Sequence, residues 1–157
     1  SASAVESAFA LHMSAALPSG WVSTRGGPVM ASADTMQIII TGKGGHASEP
    51  YRAVDPIPVA CEIVTALQTM ITRSVNVFDP SVVTVGRITA GTTNNVIPET
   101  AHIEGTIRAV SGQTRAHVHD GIKRVAENIA AAHGCDGNAE IIYGHPVTTN
   151  DLSPIHI

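Results

Sequence analysis

Three polar side chains in this sequence combine residue types that can form a substrate-binding site. His46 follows Gly44 and Gly45, and Arg108 lies thirteen positions after Asn95. Asn95 itself precedes the sequence Val-Ile-Pro, in which the proline should end the regular backbone structure. An imidazole, a carboxamide and a guanidinium together can bind an oxyanion and a carboxylate. Taken singly, each has an ordinary explanation as a loop histidine, a turn residue and a solvated arginine. Their combination predicts a substrate-binding site.

The hydrophobic pattern predicts six regular elements that would position these side chains. Asp55 before Pro56 is a candidate N-cap of one helix, and Ser111 is a candidate N-cap of a second helix that should end at Gly134. The predicted elements are a strand at 35–41, a helix after 56, strands at 81–88 and 101–110, a helix after 111, and a strand at 139–143. This βαββαβ order predicts an α+β, ferredoxin-like sandwich with two helices on one face of a four-stranded antiparallel sheet.

Side chains in the third predicted strand alternate between an apolar and a polar set. The polar set consists of His102, Glu104, Thr106 and Arg108. Because successive side chains of a strand point to opposite faces, the apolar set should face the helices and Arg108 should project from the open face of the sheet. The alternative is a solvated sheet face with a weak surface pair between Glu104 and Arg108.

Composition excludes several classes of protein. The chain has 157 residues, of which 43% are hydrophobic and 14% charged, and this suits one globular domain rather than a disordered segment. A net charge of −4, with 3% aromatic residues and no basic run, argues against a nucleic-acid partner. No apolar stretch is long enough to span a membrane, so we expect no membrane partner and a cytoplasmic location.

Several other residues that could carry chemistry have simpler explanations. Cys61 and Cys135 lack the spacing of a zinc site, and we expect both to be buried free thiols. His117 and His119 fall on the polar side of the second predicted helix. Residues 1–30 are small and irregular, with 8–11 the only stretch that resembles a strand. We therefore predict no site at these positions from the pattern alone.

The sequence around His46 closely resembles the lid-domain signature of the M20 metallopeptidase family, in the amidohydrolase branch that includes hippurate and N-acyl-amino-acid hydrolases. The signature is Gly-Lys-Gly-Gly-His-Ala-Ser-Glu-Pro at 42–50, followed by Asp-Pro-Ile at 55–57. Further stretches agree in order, at 10–12, 17–20, 82–86, 91–98, 105–108 and 146–151. The resemblance spans about residues 8 to 151.

The resemblance implies roles for four residues. The enzyme would hydrolyse the amide bond of an N-acyl or N-aroyl amino acid. His46 would be catalytic and stabilise the tetrahedral oxyanion, while Asn95 and Arg108 would bind the carboxylate of the amino acid. His12 would be a ligand of one of two divalent metal ions (zinc, manganese, cobalt or nickel), although Ala15 stands where the family commonly has proline. The lid would close over the metal site, and it would also form a homodimer in which the histidine reaches the partner's site.

The resemblance also implies that the chain is one part of such an enzyme. The family's upstream metal ligands, its adjacent glutamates and its late histidine have no counterpart here. We therefore predict flanking segments of the catalytic domain at 1–30 and 146–157, with the lid or dimerisation domain at 31–145. By itself the chain should be inactive and should hold no metal stably. The alternative is a stand-alone, non-catalytic ferredoxin-like module for dimerisation or small-ligand binding.

Overall fold

The main elements follow the predicted βαββαβ order in a computed structural model that describes residues 8–151. In chain order the strands and helices are β1 (Gly27–Met30), β2 (Ala33–Thr41), β3 (Gly45–His46), α1 (Pro56–Ser74), β4 (Ser81–Ala90), β5 (Val96–Ile97), β6 (Thr100–Ala109), α2 (Gly112–Ala132), β7 (Asp136–His145) and β8 (Thr148–Asn150). The sheet has the antiparallel order β4-β6-β2-β7. Both helices pack against this sheet, so the ferredoxin-like prediction is confirmed.

The core lies between the helices and one face of the sheet. It consists mainly of aliphatic side chains from β2, β6, α1 and α2, which are inaccessible to solvent. The largest of them are Met36, Ile38, Ile40, Ile63, Leu67, Ile103, Ile107, Val118 and Ile122. Removal of this apolar surface from water is the main stabilising contribution to the fold.

Gly105 in β6 is required by close packing. A Cβ atom there would lie 2.4 Å from both the Met36 Cε atom and the Thr84 carbonyl oxygen. Ile103 and Ile107, two residues to either side, are fully buried in the same face. The alternation predicted for this strand is therefore confirmed, and Arg108 lies on the exposed face.

Both helices begin at the predicted caps. The Asp55 carboxylate accepts a hydrogen bond of 2.9 Å from the Ile57 N–H, which has no partner within the helix. The Ser111 hydroxyl oxygen accepts a hydrogen bond of 3.1 Å from the Thr114 N–H at the start of α2. Gly134 follows α2 with a φ of +73°, the left-handed conformation that favours glycine after a helix.

A second antiparallel pair holds the two ends of the domain side by side. Strand β1 pairs with β8, and Gly27 lies opposite Asn150. Between β1 and β2, the Ser32 N–H donates to the Ala109 carbonyl oxygen at 2.8 Å, and the Ala109 N–H donates to the Ser32 hydroxyl at 3.2 Å. The chain therefore enters and leaves the domain at the end of the sheet where β6 finishes.

Three local predictions are wrong. Residues 8–11, the only stretch of residues 1–30 that resembles a strand in the sequence, are irregular and exposed, whereas β1 forms at Gly27–Met30. Cys61 is exposed because it lies on the solvent side of α1, whereas Cys135 is buried; both are free thiols. His119 is buried rather than on the polar side of α2, because the neighbouring flank of the helix covers a carboxylate supplied by β2.

Candidate functional site

The structure brings His46 and Asn95 together. In the two-stranded pair of β3 and β5, His46 lies opposite Val96 and Gly45 lies opposite Ile97. The Ala47 N–H also donates a hydrogen bond of 3.1 Å to the Asn95 carbonyl oxygen. Backbone hydrogen bonds thus hold His46 in β3 next to Asn95 in the turn before β5, although the two residues lie 49 positions apart in the sequence.

The glycines before His46 allow close approach of backbones. A Cβ atom on Gly42 would lie 2.1 Å from the Val54 carbonyl oxygen. Lys43 and Val54 exchange two backbone hydrogen bonds of 2.9 Å each, and a Cβ atom on Gly44 would lie 3.0 Å from the Ile97 oxygen. The segment is fixed on two sides, and this restricts where the imidazole can point.

The His46 ring is exposed and has one internal partner. Its Nδ1 atom lies 3.1 Å from the Ser48 backbone nitrogen and 2.7 Å from the Ser48 hydroxyl oxygen. Its Nε2 atom makes no hydrogen bond to the described residues. This nitrogen is available to a ligand.

Asn95 is exposed with its amide group oriented by a neighbour. The Thr93 hydroxyl donates to the Asn95 Oδ1 atom at 3.3 Å. Among the described residues, no acceptor takes a hydrogen bond from the Asn95 amide nitrogen. A carboxylate or carbonyl oxygen could therefore accept from it.

Arg108 lies at the opposite end of the sheet from His46. Strand β6 begins at Thr100, which pairs with Thr41 at the end of the sheet that leads into β3. From Thr100 to Arg108 the strand extends about 26 Å, at a rise of about 3.3 Å per residue. The exposed guanidinium donates a hydrogen bond of 3.0 Å to the Ile107 carbonyl oxygen. One copy of the chain therefore cannot place all three predicted residues around one small substrate.

His12 lies outside the sheet, in an exposed irregular segment. Within residues 8–151 there is no group of three or more histidine, cysteine, aspartate or glutamate side chains that could hold a metal ion. His133 and Glu62 form an isolated surface pair of 2.6 Å between the two helices. The described residues thus supply one candidate ligand, and further ligands would have to come from elsewhere.

A buried polar cluster near the Arg108 end of the sheet was not predicted from the sequence. The side chain of Asp34 is fully buried and accepts hydrogen bonds from Arg115 at 2.8 and 2.5 Å and from the Gly144 N–H at 3.0 Å. The His119 Nε2 atom lies 3.0 Å from the same carboxylate, and the ring packs edge-on against Tyr143. Strand alternation could have indicated this cluster, because it places the Asp34 side chain on the same face of β2 as the buried apolar side chains.

Two aspartates have shifted pKa values with clear causes. Burial alone would raise the pKa of Asp34, but hydrogen bonds from Arg115 and Gly144, with the charges of Arg115 and His119, lower it from 3.8 to about 2. Hydroxyl donors from Ser111 and Thr114 lower the pKa of Asp79. Both carboxylates support the fold around α2.

The family assignment rests on the central part of the chain. Residues 31–134 match the family model described as the M20 peptidase dimerisation domain. The chain belongs to this family. The match includes the His46 segment, β5 and Arg108, and it covers β2, β4 and β6 of the four-stranded sheet but ends before β7.

Curated relatives of this M20 dimerisation domain are longer hydrolases. It is 39% identical over 147 residues to the N-acetylcysteine deacetylase of Bacillus subtilis, a match covering 94% of this chain and 39% of that protein. It is 41% identical over 146 residues to the N-acetyldiaminopimelate deacetylase of the same organism, covering 92% of this chain and 39% of that protein. The chain therefore spans about two fifths of the length of these relatives.

Solved structures show the same fold. A dinuclear metal-binding peptidase of the M20 family from Bacillus subtilis superposes with a TM-score of 0.71 at 34% identity, over 90% of this chain and 34% of that one. A protein of methicillin-resistant Staphylococcus aureus, described as an aminohydrolase, gives a TM-score of 0.79 at 32% identity, over 84% of this chain and 35% of that one. Within residues 8–151, no helix is long and apolar enough to cross a membrane.

Proposed function

We propose that this M20 dimerisation domain is the lid of a longer metal-dependent amidohydrolase that cleaves the amide bond of N-acyl amino acids. The observation that carries the proposal is the pairing of β3 with β5, which holds the backbone of His46 next to the turn that contains Asn95. Two relatives that cover most of this chain are named for removing an N-acetyl group. The flanking segments at 1–30 and 146–157 would belong to the catalytic domain.

The exposed apolar residues before β1 support a larger protein. Phe9, Leu11, Met13, Trp21 and Val22 are exposed and contact little of the described chain. Large apolar side chains exposed in this number within one short segment generally mark a contact with another domain or protein. A stand-alone module would leave this surface uncovered in water, so the alternative function is disfavoured.

In the proposed reaction the chain supplies hydrogen-bond donors. His46 would donate from Nε2 to the oxyanion that forms on the amide carbonyl carbon, and Asn95 would donate to a second substrate oxygen. Two divalent ions bound in the longer enzyme would activate the attacking water. His12 would be one of their ligands, and the remaining ligands would come from outside the described residues.

The separation of Arg108 from His46 supports a site shared between two subunits. Arg108 lies at the end of the sheet where Ser32 bonds to Ala109 and the chain leaves for the flanking segments. In this proposal Arg108 would bind the substrate carboxylate next to the catalytic domain of its own subunit. His46 and Asn95, about 26 Å further along, would complete the site of the partner subunit in a homodimer.

Mixed dimers test this arrangement. In the longer enzyme, His46→Ala should lower kcat by roughly 100-fold, the usual effect of removing one oxyanion donor, and Arg108→Ala should raise KM. If the two residues act across the interface, a mixed dimer of the two variants contains one site in which both are intact. At a substrate concentration well below KM, where both parent variants are impaired, random mixing of equal amounts should restore about a quarter of the wild-type rate, because half of the dimers are mixed and each has one working site.

Two controls make the result decisive. His102→Ala removes an exposed histidine from the open face of the sheet and should leave kcat unchanged. Subunit exchange is verified with differently tagged variants. Absence of recovery in confirmed mixed dimers would place His46 and Arg108 in the same subunit's site and overturn the arrangement.

The isolated chain should show no amidase activity. It has one candidate metal ligand among the described residues, and a dinuclear site needs about five ligands together with a carboxylate base. The measurement is hydrolysis of an N-acetyl amino acid with added zinc, manganese, cobalt or nickel. Robust metal-dependent turnover by the 157-residue chain would contradict the proposal that the catalytic centre lies in another domain.

A further inference from the structure

The contacts of the His46 ring restrict where its proton can be. The Ser48 backbone N–H is always a donor, so the Nδ1 atom that it meets at 3.1 Å has to be an acceptor. The Ser48 hydroxyl, at 2.7 Å from the same nitrogen, can then act only as a donor toward it. In a neutral imidazole one nitrogen accepts and the other carries the proton, so the proton lies on Nε2.

We propose that Ser48 is a positioning residue that holds His46 as the Nε2–H tautomer, with this N–H directed away from the loop toward a substrate oxygen. The inference rests on the proposed function of His46 and goes beyond it by assigning a role to Ser48. A neutral donor is suited to an oxyanion because it is oriented before the charge develops. The opposite tautomer would present a lone pair to the oxyanion and repel it.

The local backbone explains why Ser48 is in reach. The Glu49 N–H donates to the His46 carbonyl oxygen at 3.0 Å and closes a tight turn over residues 46–49. Within this turn, the Ser48 N–H and side chain are directed back at the ring two residues earlier. The pairing of His46 with Val96 fixes the start of the turn. The tautomer is thus set by a turn that is itself attached to β5.

Nuclear magnetic resonance of ring nitrogens tests the proposal on this chain without any activity measurement. Histidine is labelled with ¹⁵N, and His46 is assigned among the eight histidines by loss of its signals in His46→Gln. At neutral to alkaline pH, the Nδ1 signal of His46 should lie in the range of an unprotonated nitrogen. Its Nε2–H fraction should exceed that of His102, which is exposed on the open face of the sheet.

Three variants separate positioning from folding. Ser48→Ala removes the shorter of the two donors to Nδ1 but keeps the backbone N–H, so it should move the tautomer ratio of His46 part of the way toward that of His102. Ser48→Thr retains a hydroxyl and should restore the wild-type ratio. Ser74→Ala is the matched control, because its hydroxyl bonds to the Met70 carbonyl at the far end of α1 and should leave His46 unchanged.

In the longer enzyme, Ser48→Ala should lower kcat about fivefold with little change in KM, the effect expected from one hydrogen bond of ordinary strength. Ser48→Thr should recover most of this loss. An Nδ1–H tautomer in the wild type, or an unchanged ratio in Ser48→Ala, overturns the proposal. A shifted ratio with an unchanged kcat also overturns it.

The proposed function of His46 and the proposed role of Ser48 are tested by different measurements. If the proposed function of His46 is wrong, His46→Ala retains full activity while the tautomer preference persists in the isolated chain. If the role of Ser48 is wrong, His46→Ala is impaired while the tautomer ratio does not depend on residue 48.

Discussion

At the scale of the residue, the candidate site consists of side chains that are exposed but held in place. His46 is oriented by Ser48, and Asn95 is oriented by Thr93. Arg108 differs, because its guanidinium bonds only to the carbonyl of the preceding residue among the described atoms. We therefore expect Arg108 to be ordered by its ligand, and its geometry should matter more than its charge.

Arg108→Lys tests this expectation in the longer enzyme. Lysine retains the positive charge but lacks the planar pair of donors that matches a carboxylate. The preference for N-acyl amino acids over the corresponding amino-acid amides should fall by about 2 kcal/mol in kcat/KM, the value of a hydrogen bond between charged groups.

The matched control is Arg87→Lys, which changes an exposed arginine on β4 that pairs with Glu104. It should leave the preference intact. Equal losses for both substrates in Arg108→Lys would instead mean that Arg108 supports the interface between domains.

At the scale of the element, the buried Asp34 cluster joins α2 to two strands. Arg115 and His119 come from α2, Asp34 from β2, and Gly144 from β7. Tyr143 lies against both the His119 ring and the Arg115 guanidinium. This cluster anchors the start of α2 to the end of the sheet near which the chain enters the domain.

The Asp34 cluster should make stability depend on acid pH. The pKa of Asp34 is lowered from 3.8 to about 2 in the folded state, so its contribution is fully present above the unfolded value and is lost as the pH falls through 4 toward 2. The expected loss is about 2 kcal/mol of unfolding free energy. Urea unfolding of the chain at a series of pH values measures it.

Asp34→Asn should be less stable at neutral pH and should show a flatter dependence between pH 5 and 2. Asp120→Asn, which changes an exposed aspartate on α2, should follow the wild type. An Asp34→Asn curve parallel to the wild type would show that other carboxylates control acid unfolding.

The elements could be predicted from the sequence because local signals specify them. Asp55 and Ser111 lie directly before apolar runs of helical spacing, and both are caps in the structure. The Asp34 cluster joins residues 81 to 110 positions apart, which no local pattern encodes. For the same reason, the sequence showed that Asn95 and Arg108 belong to successive segments but could not show that a full strand length separates them.

At the scale of the whole molecule, one of the two edges of the four-stranded sheet, at β4, offers a surface for a second copy. In the described chain, β4 pairs with β6 on one side and with no strand on the other. Apolar residues at and before this strand are exposed, among them Phe78 with 92% of its surface accessible. Unpaired strand edges with exposed apolar residues favour association with another strand. We expect two copies to join here by a two-fold axis, with β4 of each pairing in antiparallel fashion.

Sedimentation of the isolated chain tests this dimer. The wild type should sediment as a dimer at micromolar concentration, and Val77→Ser/Phe78→Ser should shift it toward monomer by removing apolar contact area. Phe9→Ser is the control, since Phe9 is also highly exposed, at 79%, but lies far from β4 in sequence. A double variant that dimerises as tightly as the wild type would place the interface elsewhere.

The pairing of β1 with β8 has a consequence for how such a domain can be exchanged between proteins. Since Met30 lies opposite Thr148, the two connections to the flanking segments are neighbours, and removal of everything between them leaves two chain ends that a short hairpin turn could join. The domain is therefore modular in the sense of an insertion, which a host protein can gain or lose without breaking the continuity of its own core. Replacement of residues 31–147 by an Asn-Gly turn is a direct way to obtain a lidless form of the longer enzyme.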